Sequence, residues 1–300
     1  MGSFNKISGG VAAFALAGAM LMVAPAAAQA QPLASGLGGI GVPCSTDALA
    51  AAISNANANG GGVLDLAANC DYDITAPATV ADGLPVITGR VTITGGGSTV
   101  IDRDAVALFR IFEVAAGGSL ILNHVILEDA NTAGLGGGIL NGGTLQVSFV
   151  SFVSNTAGNG GALSNSAGAT ASVLNSQMKD NTTTGVGGGG IINFGTLTVS
   201  GTTISGNHAP INGGGLNTQP SGVSRISSSS FVHNSSGSLG GGMSNLGTTV
   251  LTGTEVRLNT ASSGGGIATG NANVTLHASI VQDNTPDNCN PVNSIPGCVG

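Results

Sequence analysis

The chain has no tryptophan and a single tyrosine, and charged side chains fill only 7% of its 300 positions. So few aromatics argue against a surface built of ring platforms for sugars. Basic residues are the scarcer sign: beyond residue 30, Arg90, Arg103, Arg110, Lys179, Arg225 and Arg257 stand against fourteen acids. Binding a phosphate backbone takes Lys and Arg to neutralise it, so nucleic acid is excluded as a partner. Low charge does not here mean low hydrophobicity. Apolar residues make up 41% of the chain, which excludes a polar disordered segment and leaves enough to fill a core. After residue 30 no apolar run is long enough to span a bilayer, and no hydrophobic C-terminal tail offers an anchor.

The one long apolar run lies at the start. Lys6 gives a positive beginning, residues 11–23 an apolar stretch, and the "AAAQA" that follows places Ala28 and Ala30 at the small-residue cleavage positions. Gly18 and Pro25 interrupt the run and no charged stop follows it, against a membrane anchor. Residues 1–30 therefore read as a signal peptide cleaved after Ala30, and the mature chain as secreted, extracellular or at the cell surface. Cys44, Cys70, Cys289 and Cys298 form one pair near each end. In an exported chain an even count favours disulfides, and two short loops are the simplest of three connectivities. There is neither a C-x-x-C nor a nearby His pair for zinc. No metal and no cofactor is expected.

Glycine, by contrast, is abundant at 52 residues, and it recurs in a pattern. The stretch "FVSNTAGNGGALSN" at residues 152–165 returns as "FVHNSSGSLGGGMSN" from Phe231 and in looser copies between. Its asparagine recurs at Asn155, Asn181, Asn207, Asn234, Asn259 and Asn284, with steps of 26, 26, 27, 25 and 25 residues. Three places before each stands an apolar residue, Phe152, Met178, Ile204, Phe231, Val256 and Val281; eight places before stand Val147, Val173, Val199, Ile226, Leu251 and Leu276. Flanking positions alternate polar with these, the period of strands with one buried face. After each glycine block comes a third apolar column, Ile139, Leu163, Ile191, Leu216, Met243 and Ile267. Two places on are Asn141, Asn165, Asn193, Thr218, Asn245 and Thr269. Three strands in a unit of about 25 residues is the arithmetic of an all-β, right-handed parallel β-helix. Phe152 and Phe231 would fill its core. The asparagines would turn corners, tolerating left-handed backbone, and bond along a stacked ladder.

Upstream, "STDALAAAISNANANGGG" reads as a helix, capped by Ser45 or Thr46, with Asp47 at its positive end and Gly60 as its stop. It would cover the first coil. The organisation expected is a signal peptide at 1–30, an N-terminal segment with the capping helix at 31–58, the β-helix at 59–284 and a closing tail at 285–300.

The pairing of "GGAL" at residues 160–163 and its "GGGI", "GGGL" and "GGGM" variants with "FVSN" and "FVHN" resembles the repeat of the chlamydial polymorphic outer membrane proteins. That repeat lies within the pectin-lyase-like β-helix superfamily. The resemblance covers residues 136–284, about half the chain. It implies a passenger-like surface repeat and, through the wider superfamily, the alternative of a polysaccharide lyase or glycosidase.

Catalysis on a uronan needs clustered carboxylates for calcium with a base, or two carboxylates at a set separation. Between residues 136 and 270 the only acids are Asp180 and Glu255, three coils apart. The candidates are therefore Asp102, Arg103 and Asp104 in "IDRDAVALFR", and Glu128 and Asp129 in "LEDAN" near His124. The rival reading makes Asp102 and Asp104 turn residues paired with neighbouring arginines. His208 and His233 flank successive corners but offer no third ligand. The sequence thus points to a secreted structural or adhesin-like repeat protein whose partner is a glycan or other cell-surface component. A polysaccharide-active enzyme is the alternative.

Overall fold

The structure, a computed structural model, describes residues 38–270 and 273–299; the expected signal segment lies outside them. The described chain winds into a parallel β-solenoid of about ten turns with about 26 residues per turn. Its first face is a ten-stranded sheet running from Ile40–Val42 through Gly61–Leu66 to Val274–His277. The second face has nine strands, from Asp71–Ile74 to Ile280–Gln282, and the third eight, from Phe112–Val114 to Cys289–Asn290. A fourth set of four two-residue strands, Thr156–Ala157 to Ser235–Ser236, follows the asparagine corner. The sequence pattern shows three strands per coil. This short fourth one is too brief to leave an alternation of its own.

Register places equivalent residues directly over one another. Phe152 pairs with Leu127 before it and Met178 after it, and Phe231 with Ile204 and Val256. All of these side chains are fully buried, as are Val147, Val173, Val199, Leu163 and Ile191. The three apolar columns read from the sequence are therefore the interior, each packed against its copies about 4.8 Å above and below.

Thr46–Ala58 is the helix. Ser45 caps it, its hydroxyl accepting from the Ala48 amide, Asp47 sits in the first turn, and Gly60 leaves it with φ +74°. Leu49, Ile53 and Ala56, spaced to share one stripe, are buried against the first coil. Cys44 joins Cys70, and Cys289 joins Cys298, so each disulfide closes a short loop at its own end.

Candidate functional site

Two arrangements of polar side chains stand out, one inside the regular coils and one outside the first three. The inner arrangement begins with the six asparagines. Asn155 Nδ2 donates to Asn181 Oδ1 at 3.0 Å, and the bond repeats from Asn181 to Asn207, Asn234, Asn259 and Asn284 at 2.9–3.0 Å. From Asn181 on, each side-chain oxygen also accepts the backbone N–H of the preceding asparagine, while that of Asn155 takes the Ala130 N–H, and each amide also donates to a main-chain carbonyl of the coil before, as from Asn207 to Met178. The ladder ends on Asn288, whose Oδ1 takes the Asn284 amide at 3.1 Å and whose own amide reaches Val299 O. These asparagines do not make the left-handed turn. The residue before each one does: Ser154, Asp180, Gly206, His233, Leu258 and Asp283 have φ between 53° and 66°. The asparagine is thereby left with its side chain pointing inward.

A second ladder runs from Asn141 to Asn165 and Asn193, both bonds 2.8 Å. A third, of hydroxyls, lines the bend between the first two faces, where Val150 N–H donates to Ser176, Ser176 N–H to Thr202 and Thr202 N–H to Ser229. Ser176, Thr202 and Ser229 are buried. Buried amides and hydroxyls whose sites are filled in this way add rigidity and uniqueness of register.

The outer arrangement gathers the sequence candidates. Asp102 lies in the strand Val100–Arg103, in register with Asp73 on one side and Glu128 on the other. Asp71 and Asp129 flank this column. Asp102 is not a turn residue paired to arginine, because alternation in the strand turns it outward among carboxylates. Its Oδ1 is enclosed without a hydrogen-bond partner. Burial, then the charge of Asp73 and a hydrogen bond with it, then the charge of Glu128, push its carboxyl up to about 7. Glu128 is also raised, by burial first and by Asp129 and Asp71 after that.

Arg103 is nearby but committed to the main chain. Its Nε donates to Asp129 O at 3.0 Å, its Nη1 to Ala105 O and Ala107 O, and its guanidinium lies 5.9 Å from the Phe109 ring centroid. It holds the 104–109 loop against the coil. Beside it opens a groove of about 600 Å³ lined by Arg103, Asp104, Val106, Asp129, Asn131 and Thr156. All five candidates, Asp102, Arg103, Asp104, Glu128 and Asp129, thus lie on or beside one strip of the second face.

Asp71 and Asp73 complete that strip, and the repeat spacing does not mark them. Their signal is the alternation in "DYDI", hidden because Asp73 and Asp102 are 29 residues apart and outside the regular spacing. The other unforeseen cluster is buried. Arg110 Nη1 bonds Asp82 Oδ1 at 2.6 Å and Glu113 Oε2 at 2.7 Å, and Thr79 donates to Asp82 Oδ2 at 2.6 Å. Burial, with the Asp82 charge adding to it and Arg110 opposing, raises Glu113. His208 Nδ1 lies 2.9 Å from Ser235 Oγ, and no cluster of three metal-ligating side chains occurs among the described residues. No protein-family model and no curated protein matches this chain.

Proposed function

We propose that the chain is a secreted, surface-exposed β-helix repeat protein with a structural or adhesin-like role. The observation that carries this reading is the inward course of the polar chemistry. In the regular coils the asparagines and many hydroxyls are committed to ladders that fix one coil on the next, leaving a stiff body with a surface of short side chains. Two further features support it. Disulfides at both ends suit an oxidising compartment, and the GGA[ILV] and FxxN repeats resemble those of the chlamydial polymorphic outer membrane proteins. None of the described helices is long and apolar enough to cross a membrane.

The acidic column favours a second reading, a polysaccharide-active enzyme of the pectin-lyase-like kind. A carboxyl raised to about 7 can hold a proton to donate near neutral pH, and the adjoining groove has room for a sugar chain. Two assays on the purified mature chain separate the readings: retention on cell envelopes, and turnover of pectins, alginates and glycosaminoglycans with and without calcium. Retention without turnover supports the adhesive role. Turnover that disappears in Asp102→Ala moves the assignment to the enzyme.

A further inference from the structure

From the third coil on, the bend between the first and second faces passes through one left-handed residue per coil: His124, Phe149, Asn175, Gly201, Ser228, Gly253 and Ala278, with φ between 46° and 60°. Five of these are glycine, asparagine or small residues, as the conformation favours. His124 and Phe149 are neither. A bulky side chain held there is strained, and Phe149 is in addition 54% exposed. The two exceptions occupy adjacent coils, and their rings stack with centroids 4.9 Å apart and planes 12° from parallel. That separation matches the spacing of about 4.8 Å between coils, so the stack runs along the solenoid axis. His124 covers one face of Phe149, and the other face looks along the bend toward Asn175.

Farther along the bend lies an open trough of about 580 Å³, lined by Gly201, Thr203, Ser228, Ser230, Gly253 and Glu255. The small residues keep its floor low. Thr203, Ser230 and Glu255 stack in register as one outward column beside it. A Cβ added at Gly201 would collide with Asn175 Oδ1, so the Asn175 carboxamide lies over Gly201, at the end of the trough. Glu255 is ion-paired with Arg257, Oε1 to Nε 2.8 Å, which leaves the lining close to neutral. A free ring face, an amide, a row of hydroxyls and one paired carboxylate are therefore arranged in a line spanning several coils. The ring face suits the C–H face of a sugar, and the amide and hydroxyls suit its hydroxyl groups.

We propose that this bend binds a neutral linear glycan, one sugar seated against Phe149 and the next ones in the trough. This rests on the adhesive reading and names its partner class and contact face. The test is an NMR titration of the mature chain with cellohexaose, chitohexaose and β-1,4-mannohexaose, each to about 10 mM, a range that reaches weak affinities. Expected are saturable shifts of the Phe149 and His124 rings and of the Thr203 and Ser230 amides with at least one probe. Phe149→Asn, which copies the residue of the next coil, weakens that binding about tenfold. The same variant leaves the melting temperature unchanged or higher, because the strained ring is gone. Ser230→Arg, which obstructs the trough, also weakens binding. No saturable shift with any probe, or a Phe149→Asn variant that binds like the parent, overturns the proposal. Shifts confined to the Asp129 groove, or retention on envelopes with Phe149 silent, overturn this site and leave the adhesive reading standing. Saturable Phe149 shifts without envelope retention sink the adhesive reading alone.

Discussion

Asn193 Nδ2 donates to Ser224 Oγ at 3.0 Å, where the two coils before it pass the equivalent bond to another asparagine. The reason lies in the next coil, where Thr218 stands in the asparagine column. Ser224 occupies a place filled by Leu145 and Leu197 in other coils, and it lies 2.9 Å from Thr218 Oγ1. Thr249, the next residue in that column, then bonds Asn245 at 2.9 Å. A shorter side chain in one column has been met by hydroxyls moving into the core from the facing sheet.

That exchange predicts a coupled pair. Ser224→Leu alone strips the Asn193 amide of an acceptor and crowds Thr218, and Thr218→Asn alone leaves Ser224 facing an amide in place of a hydroxyl. Each single change is expected to cost about 1–3 kcal/mol. The double variant restores the pattern of the neighbouring coils and should fall within about 1 kcal/mol of the parent in urea unfolding. Additive losses would mean that Ser224 does not compensate for Thr218.

The long ladder and the aromatic column should prove equally intolerant. Asn207→Ala leaves Asn181 and Asn234 each short of a buried partner, an expected loss of about 2–4 kcal/mol. Phe231→Ala opens a cavity between Ile204 and Val256 and should cost about 3–5 kcal/mol. Chemical denaturation of both variants at one pH checks the magnitudes.

Much of the fold is legible in the sequence, and for a physical reason. Stacking forces every coil to repeat the same inward positions, so Phe152, Phe231 and the six asparagines announce themselves by spacing alone. Where spacing fails, so does legibility. The bend at residues 95–99 is five residues long where the next two are two residues long, which displaces Asp73 from its stacked partner Asp102 in sequence. Arg110 and Asp82 sit 28 residues apart with no repeat to relate them. The exchange at Thr218 and Ser224 is invisible for another reason: a period of two tells which face a residue takes, but not which residue of the opposite sheet it meets.

The acidic column sets a pH dependence. A carboxyl whose folded-state pKa is raised binds its proton more tightly in the native chain than in the unfolded one. Stability therefore falls as pH rises from about 3.8 to about 7 and is flat in this respect above that. Asp102→Asn removes the effect. It should match the parent at pH 4 and exceed it at pH 8, by on the order of 1 kcal/mol once the partial exposure of the group is allowed for. Thermal melts across that range read the sign directly; a variant less stable than the parent at pH 8 would contradict it.

The Arg110 cluster makes a local prediction. Arg110→Met leaves Asp82 buried without its cation and should cost about 3–5 kcal/mol. The damage should concentrate in residues 75–86, which Asp82 and Thr79 tie down. Limited proteolysis should then show a new cleavage in that loop before any in the regular coils.

The disulfides have a mechanical consequence. In a stack where each coil is bonded only to its neighbours, tension would peel the body from its ends, one coil at a time. Cys44–Cys70 and Cys289–Cys298 lie where peeling would start, and neither loop can be drawn out while its bond is intact. Under load the closed loops act as locked clasps, and unwinding has to begin on their inner side, at Cys70 or at Cys289. Reducing the two bonds should let the end loops unreel first, at a lower force.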